Sequence, residues 1–219
     1  MKKIITIIAT VATFSASAQT GYVIKKDGTK ENVYGTIHLA EASGDALMYY
    51  TKDGKKKHFM GDEIKFSAYK DKDAQNNAKQ SYFLTLSYQG EKKTCLQYVI
   101  AYSDKYFITW FYEQHRHSTR FISVYDWNMN PVLQAKATSK VIGIATKSYD
   151  SDVKALVTEI SPFFQDCPDV MNAFNANVTN TNYRVIFDNV YSHQCGAKSF
   201  ETLIQPFLDG KIINNGMKK

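Results

Sequence analysis

Two stretches carry residue types that could do chemistry. In "PFFQDCPDV" a cysteine, Cys167, precedes a proline after an apolar run, and in "YEQHRHST" Glu113, His115 and His117 recur at two-residue spacing. In an extended strand that spacing puts all three side chains on one face, and two imidazoles with a carboxylate are a zinc-binding set. The metal reading makes the chain a metal-assisted hydrolase. The competing reading makes "YEQHRHST" the polar end of a hairpin between strands at 106–112 and 120–127. A cupin-type site needs a glutamate shortly after the histidine pair, where this chain has Phe121 and Ile122. There is no GxSxG, phosphate loop or HExxH, and no cofactor is expected.

The chain has three cysteines, Cys95, Cys167 and Cys195. Asp166 and Asp169 flank Cys167 and disfavour the thiolate that a nucleophile needs. Helical periodicity sets Cys167 just before one helix and Cys195 just after the next. An antiparallel helical hairpin makes them neighbours, so the expected state is a Cys167–Cys195 disulfide with Cys95 outside it.

Fifteen tyrosines and two tryptophans remain, many on strand faces. Such rings offer a flat apolar surface with a polar tip. Tyr98, Tyr102, Trp110, Tyr112 and Trp127 are the candidates for a partly open cleft that takes an apolar small ligand or a glycan, and a plain sheet core is the competing reading.

The elements that position these residues change character along the chain. From Gly21 to about Lys147 apolar residues alternate. Asp27-Gly28 in "YVIKKDGTKENVYGTIHL" and Asp53-Gly54 in "LMYYTKDGKKKHFM" are hairpin turns. Tyr82/Leu84/Leu86/Tyr88, Leu96/Tyr98/Ile100/Tyr102, Tyr106/Ile108/Trp110/Tyr112 and Phe121/Ser123/Tyr125/Trp127 each follow period two. With breaks at "QGEKK", "SDK" and "NMNP", this gives eight to ten short strands.

After "KSYDSD" the spacing becomes helical. Val153, Leu156, Val157, Ile160 and Phe164 form one stripe, which Pro162 must end or kink. Pro168 opens a second helix with Val170, Met171 and Phe174. A third carries Tyr183, Ile186, Phe187, Val190 and Tyr191, and runs up to His193. A fourth carries Phe200, Leu203, Ile204, Phe207 and Leu208, bends at Pro206 and stops near Gly210. The expected fold is α+β: an antiparallel β-sandwich or small barrel-like meander over 19–147, a helical segment over 148–210 and a flexible tail at 211–219.

Residues 1–18 read as a secretory signal peptide: Lys2 and Lys3, an apolar run from Ile4 to Phe14, then Ala16-Ser17-Ala18 before Gln19. The run is too short to span a bilayer, and no cysteine stands at the cleavage site for acylation. Removal leaves 201 of 219 residues and lowers the formal charge from +6 to +4. The positives sit in turns, and only Arg116, Arg120 and Arg184 are arginine, which argues against nucleic acid as a partner. The expected location is periplasmic or secreted, with no integral membrane span after signal removal.

"GYVIKKDGTKENVYGTIHL" followed by "GDEIKFSAY" resembles the N-terminal β-module of uncharacterised secreted bacterial proteins. "PFFQDCPDVMNAF" is similar to their cysteine-containing helical ending. The resemblance implies an envelope protein and carries no catalytic residues over. The sequence thus points first to a non-enzymatic module that binds an envelope protein, a glycan or an apolar small ligand.

Overall fold

The structure is a computed structural model, and it describes residues 19–39, 46–72, 78–87, 94–113, 119–137, 157–176 and 193–212. Ten strands come first: β1 (Gln19–Lys25), β2 (Lys30–Leu39), β3 (Ala46–Tyr50), β4 (Lys56–Met60), β5 (Ile64–Lys72), β6 (Ala78–Ser87), β7 (Thr94–Tyr102), β8 (Tyr106–Glu113), β9 (Thr119–Asp126) and β10 (Pro131–Ala137). Helical residues 157–160 follow, continued by a 3-10 turn at Ser161–Phe163. Then come α1 (Pro168–Ala176), a two-residue strand β11 (His193–Gln194) and α2 (Phe200–Leu208). The architecture is α+β and β-rich, as the sequence predicts.

One five-residue turn closes three of the hairpins. Between β1 and β2, Lys25 N–H donates to Thr29 O at 2.9 Å and Gly28 N–H to Lys25 O at 3.0 Å, while Asp27 Oδ1 accepts from Thr29 N–H at 2.8 Å. Gly28 has φ 86°, which glycine adopts without strain. Thr51–Lys55 repeats the two backbone bonds between β3 and β4. Asp126–Asn130 repeats them between β9 and β10, but there Met129 takes the glycine position at φ 62°. Its side chain is fully buried, and that burial offsets a backbone cost of order 1 kcal/mol.

The strands form one continuous sheet in the order β10-β9-β8-β7-β6-β5-β1-β2-β3-β4. Both halves are meanders, joined where β5 returns to pair with β1 from Gly21↔Tyr69 to Ile24↔Phe66. A Cβ on Gly21 would lie 2.2 Å from Ala68 O, so no larger residue fits that contact. In a flat sheet β4 would stand four strand spacings from β5, about 19 Å. Residues 61–63 bridge them and reach at most about 14 Å. The β1–β5 region must therefore curl, and the barrel-like form is the one it takes.

Val23, Val33, Leu47, Phe59 and Ile64 fill the curl, and Tyr49 stacks on Phe59 with centroids 4.6 Å apart. Glu31 closes its end. It accepts from Lys25 Nζ at 2.7 Å and Tyr49 OH at 2.9 Å, with Lys57 Nζ at 3.8 Å. Partial burial pushes the Glu31 carboxyl up, but hydrogen bonds from Lys25 and Tyr49 and the nearby lysine charges outweigh it and hold the group below its usual range. A depressed folded-state value means stabilisation that is present above the unfolded pKa and lost as pH falls through the folded one. Glu31→Gln is expected to cost about 1 kcal/mol at neutral pH and to flatten the loss of stability below roughly pH 4.5. Urea unfolding across pH checks this, and an unchanged acid limb would count against it.

The two faces of the sheet are covered separately. Ile100, Ile108, Ile122 and Val124 pack with Val157, Ile160, Phe164, Val170 and Phe174 on one face. Phe66, Tyr82, Tyr102, Phe107 and Tyr125 pack with Phe200, Ile204 and Phe207 on the other. Neighbouring residues such as Val124 and Tyr125 fall in different clusters, as alternation in a strand requires. Pro162 lies in the 3-10 turn where the preceding helical residues end, and Pro168 opens α1, both as expected.

Ser199 caps α2 by accepting from Thr202 N–H at 3.3 Å, and Lys65 Nζ donates to Leu208 O at 2.9 Å at the other end, where a cation is favoured. The helix stops before Gly210 (φ 74°). The third predicted helix, at 183–191, lies outside the described residues. The expectation that His193 ends a helix is corrected: His193 and Gln194 are β11, paired in parallel with Ala101 and Tyr102 of β7.

Candidate functional site

The five aromatic candidates do not share one cleft. Tyr98 and Trp110 meet edge-on at 6.2 Å on the face covered by 157–176, where Tyr106 also meets Phe163 at 5.3 Å. Tyr102 and Trp127 meet edge-on at 6.4 Å on the α2 face. The cause is a register shift between Val99 and Ala101, which moves Tyr102 to the face opposite Tyr98. Tyr98 and Tyr102 are buried, whereas both tryptophans are half-buried. Tyr112 stands in β8 opposite Arg120, and its side chain is outside the description.

On the α2 face Phe200 is the hub, a role the sequence reading missed. Its ring lies 4.4 Å from Tyr82, 5.1 Å from Tyr102, 5.2 Å from Trp127 and 5.9 Å from Phe107. Beside it Tyr82 OH donates to Glu201 at 3.0 Å. Burial first, then the Glu201 charge, pushes the Tyr82 and Tyr22 phenols up. Burial also pushes Tyr102 up to about 12, against a hydrogen bond from the Phe200 backbone. Tyr82 thus stays a neutral donor to the Glu201 carboxylate, a contact that suits docking of α2 on this face.

Cys167 and Cys195 form the expected disulfide, with Cα atoms 5.5 Å apart. Cys95 is not part of it and is buried in β7, its thiol facing Leu86 O at 3.7 Å. The bridge belongs to a junction built on the β7–β8 turn. Cys195 N–H donates to Tyr102 O at 2.8 Å, and Asp104 accepts from Ala197 N–H at 3.2 Å and Lys198 N–H at 3.3 Å. Lys105 pairs with Asp166 at 3.0 Å, and Trp127 Nε1 donates to Ser103 O at 3.0 Å. In the sequence "SDK" shows only as a strand break. Nothing local marks Asp104 as the acceptor for a turn 93 residues away.

His115 and His117 lie outside the described residues, and Glu113 enters only as the end of β8, opposite Thr119. Among the described residues no group of three or more His, Cys, Asp and Glu is placed to hold a metal ion, and no helix among them is long and apolar enough to cross a membrane.

Fold and junction together define a class: a β-rich α+β protein with one intramolecular disulfide, its sheet covered by C-terminal helical elements on both faces. Disulfides of this kind form and persist in oxidising compartments. No protein-family model matches the chain, and comparison with curated proteins and with solved structures finds no match.

Proposed function

We propose that the protein is exported through a cleaved signal peptide and works in the periplasm or outside the cell as a non-enzymatic module. Its partner is an envelope protein, a glycan or an apolar small ligand, held on an aromatic sheet face. Export is supported by the disulfide, and the residues directly after the predicted cleavage site are strand residues of β1. The mature terminus is built into the fold there, with Thr20 Oγ1 donating to Gly35 O at 2.6 Å.

The observation that carries the binding reading is Trp110. It is half-buried, edge-on to buried Tyr98, at the rim of the larger apolar cluster. A half-buried aromatic ring seated against a buried one adds contact area at low entropic cost, since it has only two side-chain torsions to fix. Trp127 lies on the other face, its indole N–H bonded to Ser103 O.

Capture from envelope extract by immobilised mature protein tests this. Trp110→Ala is expected to lose the captured material at least tenfold, while Trp127→Ala keeps it at a temperature where it is folded. Equal capture by Trp110→Ala and the parent would overturn the reading.

A further inference from the structure

Met48 and His58 are direct cross-strand partners in the β3–β4 ladder, and Met60 lies two residues beyond His58 on the same strand face. The β2–β3 ladder opposes Met48 to His38, so the row His38, Met48, His58 crosses three strands at one level. The face in question is the outer one. Leu47, Tyr49 and Phe59, at alternate positions, are buried inside the curl, while His58 and Met60 are exposed and Met48 is half-exposed. Met60, at 48%, is the most exposed large apolar side chain among the described residues. Single exposed hydrophobes are ordinary on a protein surface. Thioether sulfur and imidazole nitrogen are both ligand types for soft metal ions, and here the ladder register brings two of one and one of the other together.

We propose that Met48, His58 and Met60 form a binding site for a soft monovalent cation of the Cu(I) class. Directly paired side chains start about 5 Å apart at Cβ, and residues two apart on one strand about 7 Å. The long unbranched methionine side chain, with three rotatable bonds, closes such gaps. Thioether sulfur with imidazole nitrogen selects soft Cu(I), whereas carboxylate and carbonyl oxygens select Mg²⁺, Ca²⁺ or Mn²⁺.

On this face the six ladder positions of β3 and β4 are Ala46, Met48, Tyr50, Lys56, His58 and Met60, none of them a carboxylate or a thiolate, while Glu63 in the turn after β4 accepts from the Met60 N–H at 2.9 Å. A neutral donor set beside Lys56 tolerates one positive charge better than two. The proposal does not depend on the aromatic binding reading, which concerns other strands.

Ag⁺ is the redox-stable probe. The mature protein would carry Cys95→Ala, so that the buried thiol does not take the probe, and methionine labelled with ¹³C at the methyl group. Titration is expected to shift the Met48 and Met60 methyl resonances, saturating at one equivalent, and to leave Met129 and Met171 in place. Met48→Leu and Met60→Leu, which keep the side-chain volume, are each expected to weaken Ag⁺ binding at least tenfold with an unchanged unfolding midpoint. Stationary Met48 and Met60 resonances would overturn the proposal. So would undiminished binding by the Met48→Leu/Met60→Leu double variant, or displacement of Ag⁺ by equimolar Zn²⁺, since that would leave imidazole alone as the ligand.

Discussion

Phe200→Ala is expected to destabilise the protein by about 3–5 kcal/mol, the range for deleting a fully buried phenylalanine. Phe200 stacks on Tyr82 and sits edge-on to Tyr102, Phe107 and Trp127, and aromatic pairs add roughly 0.5–1.5 kcal/mol beyond area burial. It is the first residue of α2, so losing the ring unseats the end of the helix whose Glu201 takes the Tyr82 hydroxyl. Ser199→Ala, which removes only the cap, is expected to cost about 1 kcal/mol. Urea denaturation of both variants separates docking from helix propensity. A loss below about 1 kcal/mol for Phe200→Ala would mean that α2 does not anchor on this face.

Removing the disulfide is the second large effect. The bridge closes a loop of 28 residues, worth about 3.6 kcal/mol in the chain-entropy model, and measured values run about 2–4 kcal/mol. Cys167 is buried, so the test pair is Cys167→Ala/Cys195→Ala, which leaves no buried hydroxyl behind. The unfolding midpoint should fall in denaturant. Amide exchange should quicken first at Cys195, whose N–H bonds Tyr102 O, while the Ile108 and Val124 amides deep in the sheet keep their protection. An unchanged midpoint would show that the bridge restrains nothing in the unfolded chain.

The sequence made legible what local chemistry controls. Asp27-Gly28 and Asp53-Gly54 announce their turns because φ near +80° selects glycine, and Pro168 announces the start of α1 because a first-turn residue has no N–H to lose. The pairing of Cys167 with Cys195 is legible from their helical surroundings, although His193, read as a helix end, belongs to β11. A two-residue parallel strand has no period of its own, so only β7 specifies it.

The candidate cleft failed to read as one surface because a single extra residue between Val99 and Ala101 reverses every later position on β7, and no composition signal marks it. Met129 shows the converse. Its turn was visible as "NMNP", but a buried side chain forcing φ 62° on a non-glycine is decided by packing. The pairing of β5 with β1, which sets the curl, is likewise tertiary.

The strand order has a consequence for how the chain reaches its oxidised form. Each ladder from β5 to β10, and each from β1 to β4, joins consecutive strands, so most of the sheet is of low contact order and zips locally. The β1–β5 and β11–β7 ladders are the non-local ones, and the second joins His193 to Ala101, 92 residues apart in the chain. β11 has two residues and cannot nucleate. It can only be read off the exposed end of a β7 that already exists, and the same Tyr102 carbonyl then fixes the height of Cys195. Oxidation is therefore templated: the thiols meet after the sheet has set their positions, and the covalent bond records a docking event that hydrogen bonds began.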